Sequence, residues 1–379
     1  MNDNKTKKIM FSGGGTGGSV TPLLAVAEEL LKEAYELDGG DLELLFVGTK
    51  TGLERGMVET FAAAPLRYIP LSGGKWRRYF SVYNFWDIFK IGVAFFQSLI
   101  LLTREKPAVI ISAGSFISVP LVWAAALKKI PILIHQQDAR PGLANKLMAP
   151  AARVITVTFE NSLADYGVKA VWTGNPSGDM ERYKERIGET KIKYGLQSDR
   201  PLVLIAGGGT GSAAINKLVS QARPELIEFC QIIHLTGKGK LFEQRFGSAQ
   251  ASDNPEMVGR YQTREFLNNE EFLALTAAAD LVVSRCGLGT LTELSALGKP
   301  TILIPMPDSH QEDNAAIFRA AEAAVILEQK DLTPEKLTDE VKQILSNSVL
   351  RERLKKNIAK VIKRGAAKNL AGLIWEMIK

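Results

Sequence analysis

The hydrophobic pattern of the chain consists of short apolar runs, each followed by a polar or glycine-rich turn and a longer stretch. Short apolar runs bounded by turn residues are typical of buried strands. The pattern predicts strands at residues 8–12, 42–47, 108–112, 132–135, 154–157, 202–206, 232–235, 281–283 and 301–304. Helices are predicted after two of these strands, at about 22–31 and 213–221. Strands that alternate with helices indicate an α/β fold with parallel sheets.

Two of the strands end in similar glycine loops, GGGTGG at 13–18 and GGGTGS at 207–212. A strand, a glycine loop and a helix form a mononucleotide-type turn, although close packing of a helix on a strand also requires glycine. We therefore predict two doubly wound, Rossmann-like domains with a ligand in the cleft between the carboxyl ends of their strands. The turn-rich segment at 173–178 is the predicted boundary. The predicted domains are 1–175 together with a C-terminal helix at 369–379, and 176–368.

The stretch from Leu281 to Pro305 is the central candidate for a ligand site. It predicts a buried strand, a glycine-containing turn, a helix that opens at Thr290 and a second strand. A tight turn into a helix N-terminus presents backbone N–H groups that suit a phosphate. Glu293 falls in the first turn of the predicted helix, where a carboxylate is favoured and can accept hydrogen bonds from ligand hydroxyls. Taken alone, the stretch is explained better as an ordinary strand–turn–helix unit.

The composition limits the class of protein. A chain of 379 residues with 46% apolar and 23% charged residues is long enough for two globular domains. Its two cysteines, Cys230 and Cys286, form no CxxC pair, so a reducing compartment is expected. The polar N-terminus runs directly into a strand, so no secretory signal is expected. The formal net charge of +6 favours phosphates or an anionic membrane as partners, and no nucleic-acid-binding module is recognised.

A basic and aromatic segment at 73–102 is the candidate membrane contact. Its uncharged part is too short to span a bilayer. Lys and Arg beside aromatic rings suit a segment that lies on an anionic membrane surface, and a core helix with a basic approach loop fits the segment equally well. The candidate membrane residues are Lys75, Trp76, Arg77, Arg78, Phe80, Phe85 and Trp86. A second basic stretch, 351–368, is interpreted as a solvated helix face.

Several motifs occur in an order that is characteristic of one family. They are GGGTGG at 13–18, HQQDARPGLANK at 135–146, TGNP at 173–176, SRCGLGTLTELSALGKPTILIP at 284–305 and HQEDNA at 310–315. With these motifs the chain resembles the bacterial MurG family, the transferases that add N-acetylglucosamine to a membrane-bound peptidoglycan precursor. The resemblance extends from the first glycine loop to Asn314. It implies the GT-B fold, in which two Rossmann-like domains face each other across a cleft.

The resemblance also implies a reaction, its partners and its place in the cell. An inverting hexosyltransferase would move N-acetylglucosamine from UDP-N-acetylglucosamine to the muramyl 4-hydroxyl of undecaprenyl-diphosphate-MurNAc-pentapeptide, at the cytoplasmic face of the bacterial cell membrane. The implied partners are the UDP-sugar, the polyprenyl-diphosphate lipid acceptor and an anionic membrane surface, with no nucleic acid. No metal and no cofactor are implied, because backbone N–H groups and a helix dipole stabilise the departing UDP.

Residue roles follow from the same resemblance. In the C-terminal domain Leu288 to Glu293 would hold the UDP-sugar, with Glu293 on the ribose hydroxyls and Leu267 against the uracil. Gln311 and Asn314 would contact the sugar, and the first glycine loop would close on the diphosphate and on the acceptor's phosphates. The implied substrate-binding residues are Thr16, Gly17, Gly18, Asp138, Asn145, Gly209, Thr210, Leu267, Leu288, Gly289, Thr290, Leu291, Thr292, Glu293, Gln311 and Asn314.

The chain departs from the family pattern where a general base would stand. The acceptor hydroxyl must lose its proton as it attacks the anomeric carbon, so a base is expected near it. The family His after the first glycine loop is Ser19 here, and a family His-Glu pair is His135-Gln136. His135 and Asp138 are the candidate bases, because they lie in a loop after a strand, although a single His at a strand end is more often structural.

Two further departures concern the diphosphate clamp. Gly178 replaces a family Arg, and Gly209 replaces a family Ser, for which Thr210 could supply the hydroxyl. Two other classes of function therefore remain open alongside the peptidoglycan transferase. One is another GT-B enzyme, such as a diacylglycerol glycosyltransferase or a UDP-sugar epimerase. The other is a non-catalytic paralogue that binds a UDP-sugar and a membrane, which the loss of His at position 19 would permit.

Overall fold

The computed structural model describes residues 6–15, 17–36, 42–61, 66–72, 83–209, 211–240 and 259–379. The chain forms two compact units. Unit 1 comprises Met1–Gly178 and Lys363–Lys379, and unit 2 comprises Asp179–Ile362. These divisions lie a few residues from the boundaries expected after 175 and 368.

Unit 1 alternates strands and helices along the chain. Its strands are β1 (Lys7–Ser12), β2 (Leu42–Thr49), β3 (Arg67–Leu71), β4 (Val109–Ser112), β5 (Ile132–Gln136), β6 (Val154–Val157) and β7 (Ala170–Trp172). The helices between them are α1 (Thr21–Glu36), α2 (Leu53–Glu59), α3 (Tyr83–Glu105), α4 (Ser118–Leu127) and α5 (Leu143–Met148). The strands pair in parallel in the order β3-β2-β1-β4-β5-β6-β7.

Unit 2 has the same alternating plan. Its strands are β8 (Leu202–Ala206), β9 (Gln231–Leu235), β10 (Tyr261–Arg264), β11 (Leu281–Ser284), β12 (Thr301–Leu303) and β13 (Val325–Ile326). Its helices are α6 (Glu181–Glu185), α7 (Ile187–Lys193), α8 (Ala213–Phe229), α9 (Asn269–Ala278), α10 (Leu288–Leu297), α11 (His310–Ala320), α12 (Pro334–Ser346) and α13 (Ser348–Val361). The strands pair in parallel in the order β10-β9-β8-β11-β12-β13.

The last helix, α14 (Ala366–Ile378), belongs to unit 1. It packs on α1, and the Trp375 indole donates a hydrogen bond to the Glu33 carboxylate at 2.9 Å. Leu370 and Ile374 are fully buried in the core beneath it. Burial of side chains of this size contributes about 1.5–3 kcal/mol each, which explains why the chain returns to unit 1 after completing unit 2.

Both faces of the unit 1 sheet are buried. Side chains alternate across a strand, so Ile9 and Phe11 of β1 pack with α1 and α14 on one face, while Met10 packs with the α3 and α4 layer on the other. Strands that are buried on both faces appear in a sequence as continuous apolar runs. The apolar runs used to predict the strands have this physical origin, and every strand predicted from them is present.

The parallel sheets confirm the predicted α/β class with two Rossmann-like domains. In each sheet the strand order reverses once, between β1 and β4 in unit 1 and between β8 and β11 in unit 2. Open α/β sheets bind ligands beyond the carboxyl ends of their strands at such switch points. The first glycine loop follows β1, the second follows β8, and the turn at Arg285–Gly287 follows β11. The fold therefore places the predicted motifs at the two switch points.

At the amino-terminal ends of the unit 1 strands, away from the switch point, a buried carboxylate links the starts of β1 and β3 to the end of α3. Glu105 has a side chain that is only 6% exposed, and it accepts hydrogen bonds from Arg67 and from Lys8, the latter at 3.1 Å. The hydrogen bond from Arg67, together with that from Lys8, outweighs burial and lowers the pKa of the Glu105 carboxyl. The group therefore stays ionised and holds both cations.

Glu105→Gln is expected to lower the free energy of unfolding by about 1–2 kcal/mol at neutral pH, because two partly exposed cations lose a buried partner. Since the folded-state pKa is lowered, this contribution is present above the unfolded pKa and is lost as the pH falls through the folded pKa. Urea unfolding of both proteins at neutral and acidic pH measures the difference. Glu59→Gln, which removes an exposed ion pair on α2, is the control with no expected change. A difference that persists in acid would contradict the ionic origin.

Candidate functional site

The first glycine loop is held by two side chains at the unit 1 switch point. Ser19 Oγ lies 3.1 Å from both the backbone N and the backbone O of Gly14. The Glu54 carboxylate accepts the N–H of Gly15 at 3.3 Å, and Gly15 has a positive φ of 86°. The N–H groups of Gly14 and Gly15 are therefore engaged within the protein. Ser19 fixes the loop at Gly14 through its hydroxyl.

The second half of the loop leads into α1. Gly17 is half-buried and Gly18 is exposed, and both lie in a short 3₁₀ turn, Gly17–Ser19, before the helix. Backbone N–H groups at a helix start are the donors that suit a phosphate. The predicted ligand residues Gly17 and Gly18 thus lie at the start of α1, beyond the two glycines that Ser19 and Glu54 contact. Thr16 lies outside the described residues.

His135 lies in the buried interior at the end of β5. Its Nδ1 is 2.9 Å from the Thr156 hydroxyl, and its Nε2 is 2.8 Å from Oδ1 of Asn175. The side chain is 0% exposed, and burial lowers the pKa of its imidazole to about 4. His234 in unit 2 is likewise 0% exposed with both ring nitrogens in hydrogen bonds, and burial lowers the pKa of its imidazole to about 4. Each histidine is the last but one residue of its strand, is fully buried and has both ring nitrogens in hydrogen bonds.

Gln136 organises the loop that follows β5. Its Nε2 donates to the backbone carbonyls of Asp138 at 2.7 Å and of Arg140 at 3.1 Å. Its Oε1 accepts from the Asn145 amide at 2.7 Å and from the Tyr166 hydroxyl at 3.0 Å. Two donors and one acceptor oxygen are all used, which is the pattern of an amide and not of a carboxylate. The groups that surround Gln136 are therefore matched to an amide at this position.

Gln136→Glu is expected to destabilise the protein by about 2 kcal/mol, because a carboxylate oxygen would face two carbonyl oxygens. Thermal unfolding measures the loss. Gln97→Glu is a matched control, since the Gln97 side-chain oxygen accepts from the Ser72 N–H and a carboxylate keeps that bond. Equal melting temperatures for Gln136→Glu and the unmodified protein would show that the loop tolerates a carboxylate by rearranging.

Asp138 and Asn145 lie beside this network. Asp138 is half-buried in the loop, in contrast to the fully buried His135. Asn145 is 6% exposed and donates its amide to the backbone oxygen of His135 and to Gln136. Its Oδ1 has no hydrogen-bond partner among the described residues. Gly114, in the loop after β4, lies close to this oxygen. A buried acceptor without a donor costs about 1–3 kcal/mol, so this oxygen is suited to a donor from a ligand.

In unit 2, Arg285 connects the loops around the switch point. Its guanidinium donates to Oγ of Ser212 at 2.8 Å, to the side-chain oxygen of Gln329, and to the backbone oxygens of Ile304 and Pro305 at 3.0 and 2.9 Å. Ser212 is also the N-cap of α8, where its hydroxyl accepts the N–H of a helical residue. Arg285 thereby fixes the second glycine loop against the end of β12.

Helix α10 begins at Leu288, so the prediction of a helix start at Thr290 was wrong. Gly287 takes the extended N-cap conformation, and no side chain among the described residues caps the helix. Glu293 is therefore the sixth residue of α10 and lies in its second turn, which corrects the expected first-turn position. The first-turn N–H groups of α10 point out of the helix start and remain suited to an anion.

Glu293 is half-buried on α10. Its carboxyl has no hydrogen-bond partner among the described residues, and burial raises its pKa to about 8. A carboxyl group that is desolvated without a partner destabilises the protein when it ionises. Such an arrangement is typical of a group that finds its partner in a ligand.

Helix α11 carries Gln311 and Asn314, and both contact the turn after β11 at the unit 2 switch point. Oε1 of Gln311 accepts the N–H groups of Cys286 at 3.2 Å and Met306 at 3.1 Å, which leaves the amide nitrogen for other contacts. Asn314 is 0% exposed and donates its amide to the backbone oxygen of Cys286 at 3.2 Å. Leu267 is 9% exposed at the start of α9.

The other expected positions are less informative. Gly209 lies in the loop after β8 with open space where a side chain would be, and the same holds for Gly178 at the unit boundary. Thr210 lies outside the described residues. In the part of the chain that the structure describes, no group of three His, Cys, Asp or Glu side chains is placed to hold a metal ion.

Sequence reasoning missed two residues that shape these sites, Glu54 and Arg285. Each is a single charged residue near a strand end, and each makes its key contacts with a loop that is distant in sequence. One signal was present for Arg285, because it directly follows the last residue of a buried strand at a predicted ligand turn. Glu54 carries no such signal, since acidic residues at helix starts are common.

The chain matches two domain families. Residues 9–157 match the Glycosyltransferase family 28 N-terminal domain, and residues 202–370 match the Glycosyltransferase family 28 C-terminal domain. A nucleotide-type turn at each switch point fits this assignment, and together they define a two-domain glycosyltransferase. A relative from Clostridium kluyveri, the UDP-N-acetylglucosamine--N-acetylmuramyl-(pentapeptide) pyrophosphoryl-undecaprenol N-acetylglucosamine transferase, is 38% identical over 343 residues, which cover 89% of this chain and 91% of the relative.

Two solved structures place the fold. The crystal structure of MurG from Acinetobacter baumannii has a TM-score of 0.74 and 26% identity, and covers 98% of this chain and 99% of that chain. A UDP-GlcNAc 2-epimerase from Neisseria meningitidis, bound to UDP-GlcNAc, has a TM-score of 0.65 and 14% identity over 98% of this chain and all of that chain, which shows a shared fold alone. The chain belongs to the MurG family of N-acetylglucosamine transferases, as its motifs indicated.

Proposed function

We propose that this chain transfers N-acetylglucosamine from UDP-N-acetylglucosamine to the 4-hydroxyl of the muramyl sugar in undecaprenyl-diphosphate-MurNAc-pentapeptide, with inversion at the anomeric carbon. Family membership supports this reaction, because relatives that match nearly the whole chain carry it in their names. The observation that carries the proposal is the start of α10 at the unit 2 switch point, which no side chain of the described residues caps, with the carboxyl of Glu293 one turn further on and no hydrogen-bond partner for it in the same part of the chain. The product would be the disaccharide-linked lipid of peptidoglycan synthesis.

The donor would bind at the α10 start. Residues from Leu288 to Thr292 form the start of α10, and the N–H groups of this helix start would hold the diphosphate. Glu293 would accept hydrogen bonds from the ribose hydroxyls, Leu267 would lie against the uracil, and the amide nitrogen of Gln311 would reach the sugar. Asn314 holds the loop that precedes α10 through Cys286, and Gly209 and Thr210 would close on the diphosphate.

The departing UDP gathers negative charge on its β-phosphate as the glycosidic bond to the nucleotide breaks. The N–H groups and the positive end of α10 are fixed before the reaction begins, so they stabilise that charge without reorganising. Arg285 supports this arrangement by fixing the neighbouring loops through Ser212 and the backbone of Pro305. No step of this scheme requires a metal ion.

The acceptor would bind in unit 1. Thr16, Gly17 and Gly18 would hold its phosphates at the start of α1. Asn145 would lie beside the acceptor sugar, and its Oδ1, which is buried and has no donor among the described residues, would accept a sugar hydroxyl once the loop around it opens for the acceptor. Both groups lie beyond the carboxyl ends of strands of one sheet, β1 and β5, which are separated only by β4.

Asp138 is the base that the geometry favours. His135 is 0% exposed, and burial lowers the pKa of its imidazole to about 4, while the Ser19 hydroxyl is a poor base at neutral pH. Asp138 is half-buried in a loop whose backbone is held in place by Gln136. A base must lie within hydrogen-bond reach of the proton it removes, which a side chain at the loop surface satisfies and a sealed one does not.

Unit 1 would also provide the membrane contact. Exposed apolar side chains occur on three helices that pack as neighbours, α3, α4 and α5. They are Phe96, Ile100, Trp123, Leu127, Leu143 and Leu147. Exposed lysines lie nearby, Lys90 on α3, Lys146 on α5, and Lys128 and Lys129 directly after α4. Apolar side chains with surrounding lysines suit binding to an anionic lipid surface.

The sequence-predicted membrane segment adds to this surface only in part. Lys75, Trp76, Arg77, Arg78 and Phe80 lie outside the described residues, and for Phe85 and Trp86 the structure describes only the backbone of α3. Among the described helices, none combines the length and the apolar character that a membrane crossing requires. We propose peripheral binding at the cytoplasmic face of the cell membrane.

One assay tests the proposed function. Purified protein is incubated with labelled UDP-N-acetylglucosamine and the lipid-linked muramyl-pentapeptide in detergent micelles, and the lipid product is separated and counted. Label in the lipid disaccharide is the expected result. Label on diacylglycerol alone, accumulation of the 2-epimer without an acceptor, or UDP-sugar binding without turnover would each overturn the proposal.

A further inference from the structure

Three glycines of unit 1 surround the side chain of Glu54. A Cβ atom added at Gly52 would lie 2.0 Å from Oε2 of Glu54, one at Gly14 would lie 2.6 Å from Oε1, and one at Gly48 would lie 2.9 Å from Cγ. Glu54 itself is 0% exposed. The loops after β1 and β2 are therefore built around one buried carboxylate.

The carboxylate is held by hydrogen bonds that come from two loops. Oε1 accepts the backbone N–H of Thr49 at 2.8 Å and the Thr49 hydroxyl, and Oε2 accepts the N–H of Gly15 at 3.3 Å. Burial alone would raise the pKa of Glu54, but the hydrogen bonds from Thr49, from the start of α2 and from Gly15 together lower it. The group is an ionised link between the end of β2 and the first glycine loop.

This link divides the glycine loop into two parts. The first part, Gly13 to Gly15, is fixed by Glu54 on one side and by Ser19 on the other. The second part, Gly17 and Gly18, lies in the short 3₁₀ turn that continues into α1. An anion-binding loop needs its N–H groups to be aimed before the ligand arrives, because ordering a flexible loop costs affinity.

We propose that Glu54 is a positioning residue for the acceptor, which fixes the first half of the glycine loop so that the N–H groups of its second half are aimed at the phosphates of the lipid-linked substrate. Glu54 does not touch the acceptor, and it acts through Gly15. This inference rests on the proposed function, because that function supplies the diphosphate acceptor.

The test separates acceptor binding from donor binding and from turnover. Glu54→Gln replaces one charged acceptor oxygen by an N–H₂ group that faces N–H donors. The lipid-linked acceptor in detergent micelles is titrated without UDP-sugar, and UDP-N-acetylglucosamine is titrated separately. We expect acceptor affinity to fall by about tenfold or more and donor affinity to stay within about twofold. Glu59→Gln, on the same helix and exposed, should bind both as the unmodified protein does.

A second pair of variants covers the case in which Glu54→Gln does not fold. Thr49→Val removes the hydroxyl that donates to Glu54, and Thr49→Ser retains it. Thr49→Val is expected to weaken acceptor binding by about threefold to tenfold, and Thr49→Ser should restore it. A purely structural role would lower the melting temperature of Thr49→Val without this selective loss of acceptor affinity.

The outcomes distinguish the inference from the proposed function. Unchanged acceptor affinity in Glu54→Gln and Thr49→Val, or equal losses for donor and acceptor, would overturn the positioning role and leave the transferase intact. If the unmodified protein binds the acceptor but transfers no sugar, the proposed function fails while the comparison of variants still decides the role of Glu54. If the unmodified protein does not bind the acceptor, both fail.

Discussion

Glu293→Gln is expected to weaken UDP-N-acetylglucosamine binding by about 10²-fold above pH 8, and by progressively less as the pH falls toward 6. Burial raises the pKa of the Glu293 carboxyl to about 8 in the unliganded protein. Two ribose hydroxyls that donated to the carboxylate would stabilise its ionised form, so that binding would be coupled to release of a proton. Below the raised pKa, affinity should fall by up to about tenfold per pH unit in the unmodified protein, and the Glu293→Gln variant should show no such dependence.

Isothermal titration of the donor at several pH values measures this effect, and buffers of different ionisation enthalpy reveal the released proton. Glu312→Gln, an exposed carboxyl on α11, is the matched control and should keep both the affinity and its pH dependence. A dissociation constant that is independent of pH in the unmodified protein would contradict a ribose contact by the ionised carboxyl.

Glu293→Gln should also increase the stability of the unliganded protein, although it weakens donor binding. The folded-state pKa of Glu293 lies above its unfolded value, so the folded state binds more protons and stability falls as the pH rises from about 4.5 to about 8. Glu293→Gln should therefore unfold at a higher temperature than the unmodified protein at pH 8 without ligand. A residue that lowers stability and raises affinity is what a donor-site role requires.

The strands that sequence reasoning found and those that it missed differ in their place in the sheets. The interior strands were predicted because both of their faces are buried, as in β8, where each residue of Leu202–Ala206 is buried. The strands β3, β7, β10 and β13 were not predicted, and all four are edge strands. They are short and half-buried, and β10 has the sequence Tyr-Gln-Thr-Arg. Edge strands do not show a continuous apolar run in the sequence, because they have a neighbouring strand on one side only and their side chains are partly exposed to solvent.

The candidate sites could be predicted where a local pattern is enough. The glycine loops and the turn before α10 are local, since a strand, a turn and a helix start follow one another in the chain. Glu54 and Arg285 could not be found in this way, because their roles depend on Gly15 and Ser212, which are 39 and 73 residues away. The helix start at Leu288 was missed because Gly287 ends the turn earlier than the threonine suggested.

The histidine at the end of β5 shows how the structure changes a chemical assignment. The sequence left His135 and Asp138 as candidates for the base, with the note that a single His at a strand end is more often structural. The structure gives His135 the same buried, doubly hydrogen-bonded environment as His234, which lies in the other unit. Because the Nε2 of His135 contacts Asn175 in the TGNP turn, we infer that its function is to hold that turn.

Asp138→Asn is accordingly expected to lower kcat by about 10²- to 10⁴-fold, with the KM of both substrates within a few fold. The amide retains the size of the side chain but cannot accept the proton of the attacking hydroxyl. His135→Gln is expected to lower the melting temperature and to retain kcat within about tenfold in the folded fraction, because the amide can still donate to Asn175. His234→Gln provides the matched control for loss of a buried imidazole in the same chain.

Initial rates measured with both substrates at saturation, normalised to the folded fraction at the assay temperature, separate these outcomes. If His135→Gln loses activity by about 10²-fold while it remains folded and His234→Gln does not, His135 takes part in the chemistry despite its burial. If Asp138→Asn and His135→Gln both turn over at nearly normal rates, the base lies elsewhere among the groups at the unit 1 switch point. Desolvation lowers the pKa of the His135 imidazole to about 4. If kcat decreased on acidification with an apparent pKa near 7, the group responsible would therefore not be the His135 imidazole in its present environment.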